Sequence, residues 1–148
     1  MTLVAIAAAH GIATAFLTGV IWYVQLVHYP LFARADAGSY REFQREHERR
    51  TSWIVGPAML SEAAAALALA VTGWTVLPQS LLVGSIVLLV LVWSSTAGLQ
   101  VPRHRRLAAG FDAVAHRELV STNWIRTVGW SARLLVAVSL VVSAAGHA

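Results

Sequence analysis

Two charged side chains stand inside long apolar runs of this chain. Glu62 closes WIVGPAMLSE, residues 53–62, and Arg133 closes WIRTVGWSAR, residues 124–133. Each follows a Trp-Ile pair at the same distance. If both runs are helices entering from one face, a rise of ~1.5 Å per residue places both charges ~13 Å inside. An isolated Glu or Arg at such depth in a bilayer costs at least ~2.5 kcal/mol, so each must face the interior and find a partner. Asn123, Arg126, Trp130, Arg133 and Ala137 step by three or four, which predicts one inward polar stripe on the last helix. Ala63–Ala66 permits close helix approach beside Glu62. The chemistry open to Glu62, Arg126 and Arg133 is that of an anion clamp, a proton relay or a substrate anchor. The plainer alternative is a structural ion pair that fixes helix register.

Histidines form the second constellation. His28 lies two residues before Pro30 and His104 two after Pro102, while His47 and His116 fall in the polar segments that follow. All four are expected near one membrane face. Converging imidazoles can bind haem or a transition metal, with Glu46, Glu48 or Glu118 behind them. Solvated side chains among arginines are the alternative, because no HxxxH, HxxE or HExxH spacing is present. His10 stands apart in the first apolar run, with Thr14 and Thr18 one and two turns on. It is either an axial ligand or a hydrogen bonder between helices. His10, His28, His47, His104 and His116 are therefore the candidate cofactor ligands, and the identity of any metal stays open.

Four elements must position these groups. The chain has 148 residues, 57% hydrophobic and 12% charged, with a mean hydropathy of +0.64. These values predict one all-α domain, an integral membrane four-helix bundle. The spans are expected at 3–27, 54–76, 81–101 and 125–145, each about long enough for ~30 Å of hydrocarbon. Helices of a soluble bundle would need charged outer faces, and none is visible. The first run continues to about Val27 without a basic leader, which argues for a retained helix over a cleaved signal. With no cysteine, disulfides, thiolate ligands and Cys nucleophiles are excluded. All eleven basic residues are Arg, and with the Ala/Val/Gly bias this reads as a bacterial coding habit.

Arginine placement sets the orientation. Arg34, Arg41, Arg45, Arg49 and Arg50 lie between spans one and two, and Arg103, Arg105, Arg106 and Arg117 between spans three and four. The turn at 72–80 carries no charge. The positive-inside rule puts both basic connections in the cytoplasm and both termini outside, in the inner membrane. The net charge of +4 is mostly this signal and gives no nucleic-acid reading. The connections are expected to hold amphipathic segments at 39–52 and 103–121. Ser39-Tyr40-Arg41-Glu42 fits a capping box, and Tyr40, Phe43 and His47 share a face of the helix it starts. Phe111, Val114 and Leu119 offer a less regular stripe. The order Trp22, Pro30, Phe43, His47, Trp53 recurs as Trp93, Pro102, Phe111, His116, Trp124. It reads as a parallel repeat of two helices about an axis along the membrane normal, against chance recurrence of interfacial Trp and span-end Pro.

His10, Tyr23, Pro30-Leu31-Phe32, Phe43, Glu48-Arg49-Arg50, Ile54 and Pro57-Ala58-Met59 together resemble the bacterial four-helix, haem-binding protoporphyrinogen oxidases, over about the first 60 residues. The resemblance implies that His10 is the haem-associated histidine of the first helix and that Glu48, Arg49 and Arg50 form the polar lead-in of the second. That family's third-helix lysine has no counterpart, since this chain has no lysine and offers Trp93, Ser94, Ser95 and Thr96 there. Small membrane proteins of the anthrone-oxygenase-like type are similar in size and hydropathy. The chain is therefore expected to be a membrane oxidoreductase dependent on haem b or a transition metal, acting on a small hydrophobic, anionic or quinone-like substrate. The alternative is a non-catalytic membrane subunit with a structural Glu62–Arg133 pair and an arginine-rich docking face. Expected partners are the lipid bilayer, then a small hydrophobic substrate or a membrane partner protein, with a homo-oligomer open. Hydrolase and nucleotide chemistry lack their motifs.

Overall fold

A computed structural model describes residues 2–147. Four helices make up the chain, α1 (Leu3–Arg34), α2 (Tyr40–Thr72), α3 (Gln79–Ala108) and α4 (Ala113–Ala145), each long and apolar enough to cross a membrane. No strand occurs among the described residues. Consecutive helices pack side by side and α4 returns to α1, closing a four-membered ring. The turn at 73–78 and both termini therefore share one end, and the connections at 35–39 and 109–112, with most of the arginines, share the other. We call the latter the basic end.

The exterior is apolar. Ile12 and Phe16 on α1, Leu67 and Val71 on α2, Val87 on α3, and Leu135 and Val142 on α4 are all exposed. Apolar surface on every helix is the pattern of a bundle that packs polar groups inward and presents hydrocarbon outward. The interior has two apolar clusters. One, toward the termini, holds Ile6, Leu69, Leu77, Leu82 and Leu140. The other, toward the basic end, holds Leu17, Ile21, Tyr29, Phe32, Tyr40, Leu107, Leu119 and Trp130. A polar layer separates them. At the α3/α4 crossing a Cβ on Gly129 would lie 2.7 Å from Cγ1 of Val92, so the absence of a side chain there sets how closely the two helices meet.

The helix ends differ from the expectation in instructive ways. α1 does not stop at 27. It widens into a π turn at Val24–His28, where the Tyr29 N–H donates to the carbonyl of Val24, and continues past Pro30 to a 3-10 turn at Phe32–Arg34. α3 does the same, with a π turn at Thr96–Gln100 just before Pro102. A proline lacks the N–H and crowds the carbonyl one turn back, and the wider turn takes up the misfit without breaking the helix. The predicted segment 39–52 does not lie on span two but runs into it, as the first half of α2, unbroken through Pro57. Its start is not a capping box either. The Ser39 hydroxyl and N–H both donate to the Asp36 carboxylate, at 3.2 and 3.0 Å, and make no cap on Tyr40 onward.

The segment 103–121 is likewise two pieces. α3 ends at Ala108, Gly110 takes a φ of +143° that favours glycine, and α4 begins behind Asp112. The Asp112 carboxylate accepts from the N–H groups of Val114 and Ala115, at 2.9 and 3.0 Å, and from Arg106 at 2.7 Å. The Ala115 N–H, then the Arg106 guanidinium, hold this carboxyl below its ordinary value. A depressed folded value means that the stabilisation is complete above the unfolded pKa of about 3.9 and is lost as pH falls through the folded one. Asp112→Asn keeps a competent N-cap without the charge. We expect it to leave stability in acid almost unchanged and to lower it near neutral pH by the share the charge contributes, so that the acid limb of a thermal-unfolding profile flattens.

Candidate functional site

The polar layer is built from all four helices. Arg133 on α4 donates its Nε–H to Glu62 Oε1 on α2 at 2.8 Å, and its Nη1 to the carbonyl of Ser85 on α3. Its Nη2 lies 3.5 Å from Nε2 of His10 on α1. Thr14 donates to Glu62 Oε1 at 3.1 Å and the Trp130 indole N–H to Oε2 at 3.4 Å. Thr18 ties the backbones together by donating to the carbonyls of Thr14 and Trp130. His10, Thr14 and Glu62 have no exposed surface, and Arg133 only 1%. In so dry a place the charges persist because each meets its opposite and several hydrogen-bonding groups besides.

The inward stripe of α4 is buried along its whole length, from Asn123 through Arg126, Trp130 and Arg133 to Ala137. Asn123 donates to Gln25 Oε1 at 2.8 Å and accepts from Arg126 Nη1 at 3.2 Å. Gln25 is the second residue of the α1 π turn, so this turn is clamped to α4. The Arg126 guanidinium lies 5.2 Å from the centre of the Trp130 ring. It takes part in no ion pair among the described residues. Its Nε is buried and without a hydrogen-bond partner.

Arg126 faces a cavity of about 300 Å³, at the small end of ligand sites. Leu17, Val20, Ile21 and Val24 line it from α1, and Val55 and Met59 from α2. Trp130 forms part of its inner wall. Polar groups gather nearer the basic end, namely Tyr29, His47, Glu48, Thr51, Gln100, His104 and Arg105. Both π turns contribute, the first through Val24 and the second through Thr96 and Gln100. Val20, Val24, His47, Thr51 and Val55 also line a groove of about 450 Å³ on the outer α1/α2 surface. The two spaces are therefore neighbours across these side chains.

Three of the five candidate histidines come together here. His28 Nε2 is 2.8 Å from His47 Nδ1, which also meets Thr51 Oγ1 at 3.1 Å. The rings of His47 and His104 are 5.6 Å apart. His104 Nδ1 is 2.9 Å from Gln44 Nε2, and its Nε2 is 2.9 Å from the Tyr29 hydroxyl. His116 binds the Tyr29 carbonyl at 2.8 Å and His10 belongs to the polar layer. Arg50 and Arg49 are exposed and both donate to Glu46, whereas Glu48 reaches the cavity.

Two of the candidate ligands, His10 and His104, are closed to a cofactor. A haem-ligating imidazole needs a nitrogen facing open space, and His10 is enclosed with one nitrogen against a guanidinium and its Nδ1 unpaired. Both nitrogens of His104 are occupied. No group of three or more His, Asp or Glu side chains among the described residues is arranged to hold a metal ion. Tyr29, Gln44 and Thr14 are site residues beyond the sequence-derived candidates. The signal for Tyr29 is its place between His28 and Pro30, at the helix distortion that turns it inward. No family model matches the chain, and comparisons with curated proteins and with solved structures return no match.

Proposed function

We propose that the protein is a multi-pass protein of the bacterial inner membrane, with both termini outside, the basic end cytoplasmic, and its halves related as a parallel repeat. In this reading it holds a small hydrophobic molecule with an anionic or quinone-like head group in the cavity, as the substrate of a membrane oxidoreductase reaction. The orientation is supported by the arginines at the basic end, and the repeat by two π turns each placed just before a proline. One observation carries the binding reading. Arg126 is 8% exposed, faces the cavity, and lacks both an acidic partner and a partner for Nε. Such a cation is costly unless something negative or acceptor-rich sits against it. Tyr29, backed by His104, supports the redox part, because a phenol beside an imidazole can hand a proton to a head-group oxygen. Haem and a transition metal are left out of this reading, since His10 and His104 are closed and no group of three metal ligands is assembled among the described residues.

The test is mass spectrometry of small molecules that co-purify with the full chain in mild detergent. We expect a hydrophobic compound at stoichiometric level, lost in Arg126→Gln. Its absence from the native chain would sink the binding reading, and a Soret band in the visible spectrum would return haem to it. A second reading, a non-catalytic subunit whose arginine-rich end docks a membrane partner, is favoured by the closure of the Glu62–Arg133 pair. Neither residue lines the cavity.

A further inference from the structure

We propose that the ligand is a single-chain carboxylate, its head group against Arg126 and Tyr29 and its chain running toward Leu17, Ile21 and Met59. This rests on the reading of the cavity as a ligand site and narrows the ligand's class. The hydrogen-bond network fixes which groups are left to donate. Gln44 Nε2 meets both Glu48 Oε1, at 3.0 Å, and His104 Nδ1. Turning the amide over would set its oxygen against the carboxylate, so the nitrogen is the donor to both. His104 Nδ1 therefore accepts, and its proton sits on Nε2, donating to the Tyr29 oxygen. The Tyr29 hydroxyl proton is then free, and it cannot point at Arg126, which is itself only a donor. The Tyr29 oxygen keeps a lone pair that accepts from the Arg126 guanidinium, so the two groups stand together while the Tyr29 O–H and the Arg126 Nε–H have no acceptor of their own.

Charge selects among acceptors. Among the ionisable lining Arg105 is exposed to solvent and Glu48 accepts from Gln44, so the uncompensated buried charge is the single positive one of Arg126. A carboxylate cancels it. A phosphate monoester overshoots by about one charge at neutral pH, and a quinone leaves the buried guanidinium uncompensated. The volume agrees, since about 300 Å³ holds roughly ten groups the size of a water molecule at ~30 Å³ each. That is the size of one medium-length chain with its head group.

Isothermal titration of the full chain in nanodiscs, with empty nanodiscs subtracted, tests this using decanoate, decanol, decyl phosphate and a decyl-substituted benzoquinone. Decanoate is expected to bind saturably and at least about tenfold tighter than the others. Arg126→Gln should erase that preference, weakening decanoate far more than decanol. Tyr29→Phe, which keeps the ring in its packed place, should weaken decanoate about threefold to tenfold. Equal binding of decanol and decanoate overturns the proposal. Preferred binding of the quinone or the phosphate also overturns it, yet leaves the cavity standing as a ligand site. No binding by any of the four overturns both.

Discussion

Glu62→Gln and Arg133→Gln are each expected to destabilise the protein by about 3–5 kcal/mol, and the double substitution by less than either alone. Removing the Glu62 charge leaves a guanidinium sealed between two apolar clusters with only uncharged acceptors, the new amide and the Ser85 carbonyl, and the His10 ring beside it. Removing Arg133 leaves a carboxylate held by one hydroxyl and one long indole bond. With both gone, two amides remain that can satisfy one another, and no bare charge is left. The measurement is reversible unfolding of the four variants in mixed micelles, read as a double-mutant cycle. Additive losses would show that the two side chains do not stabilise one another.

Trp130→Ala is expected to cost about 3–5 kcal/mol and to abolish ligand binding as well. The indole is 1% exposed and serves two neighbours, donating to Glu62 on one side and underlying Arg126 on the other. Its loss would extend the existing cavity toward the polar layer and free the guanidinium to swing away. Trp130→Phe retains most of the volume and the aromatic face, and forfeits only the 3.4 Å N–H bond, a loss of at most about 1 kcal/mol. Unfolding and ligand titration on both variants check this. Equal losses from Phe and Ala would mean that the N–H, and not the packed ring, matters.

Much of the architecture was legible because few physical alternatives exist. Four apolar runs without charged faces can only be bundle helices with an apolar exterior, and one acid and one base at matched distances from a Trp-Ile pair do meet. The burial of Asn123, Arg126 and Trp130 followed from helical spacing alone. The convergence of His28, His47 and His104 was visible as a shared end of the bundle. Their arrangement was not, because it depends on two π turns whose hydrogen bonds leave no mark in composition. Ser39 failed as a cap for a related reason. Asp36, three residues earlier, takes both the Ser39 N–H and its hydroxyl, and the spacing to Glu42 does not reveal that another carboxylate reaches them first. Tyr29 and Gln44 were missed because each is defined by what it touches across the bundle, His104 in both cases.

Those turns have one more implication. A π turn is, in effect, one residue inserted into the helical count, and at 3.6 residues per turn it rotates everything downstream by ~100°. In α1 the residues before Val24 keep one phase and those after His28 another. Extrapolated in phase from Leu17 and Ile21, the buried face passes on through His28 rather than Tyr29. The same slip in α3 re-phases His104 relative to Val92. Two small frameshifts in the helical wheel, one in each half, thus point a phenol and an imidazole into the same cavity.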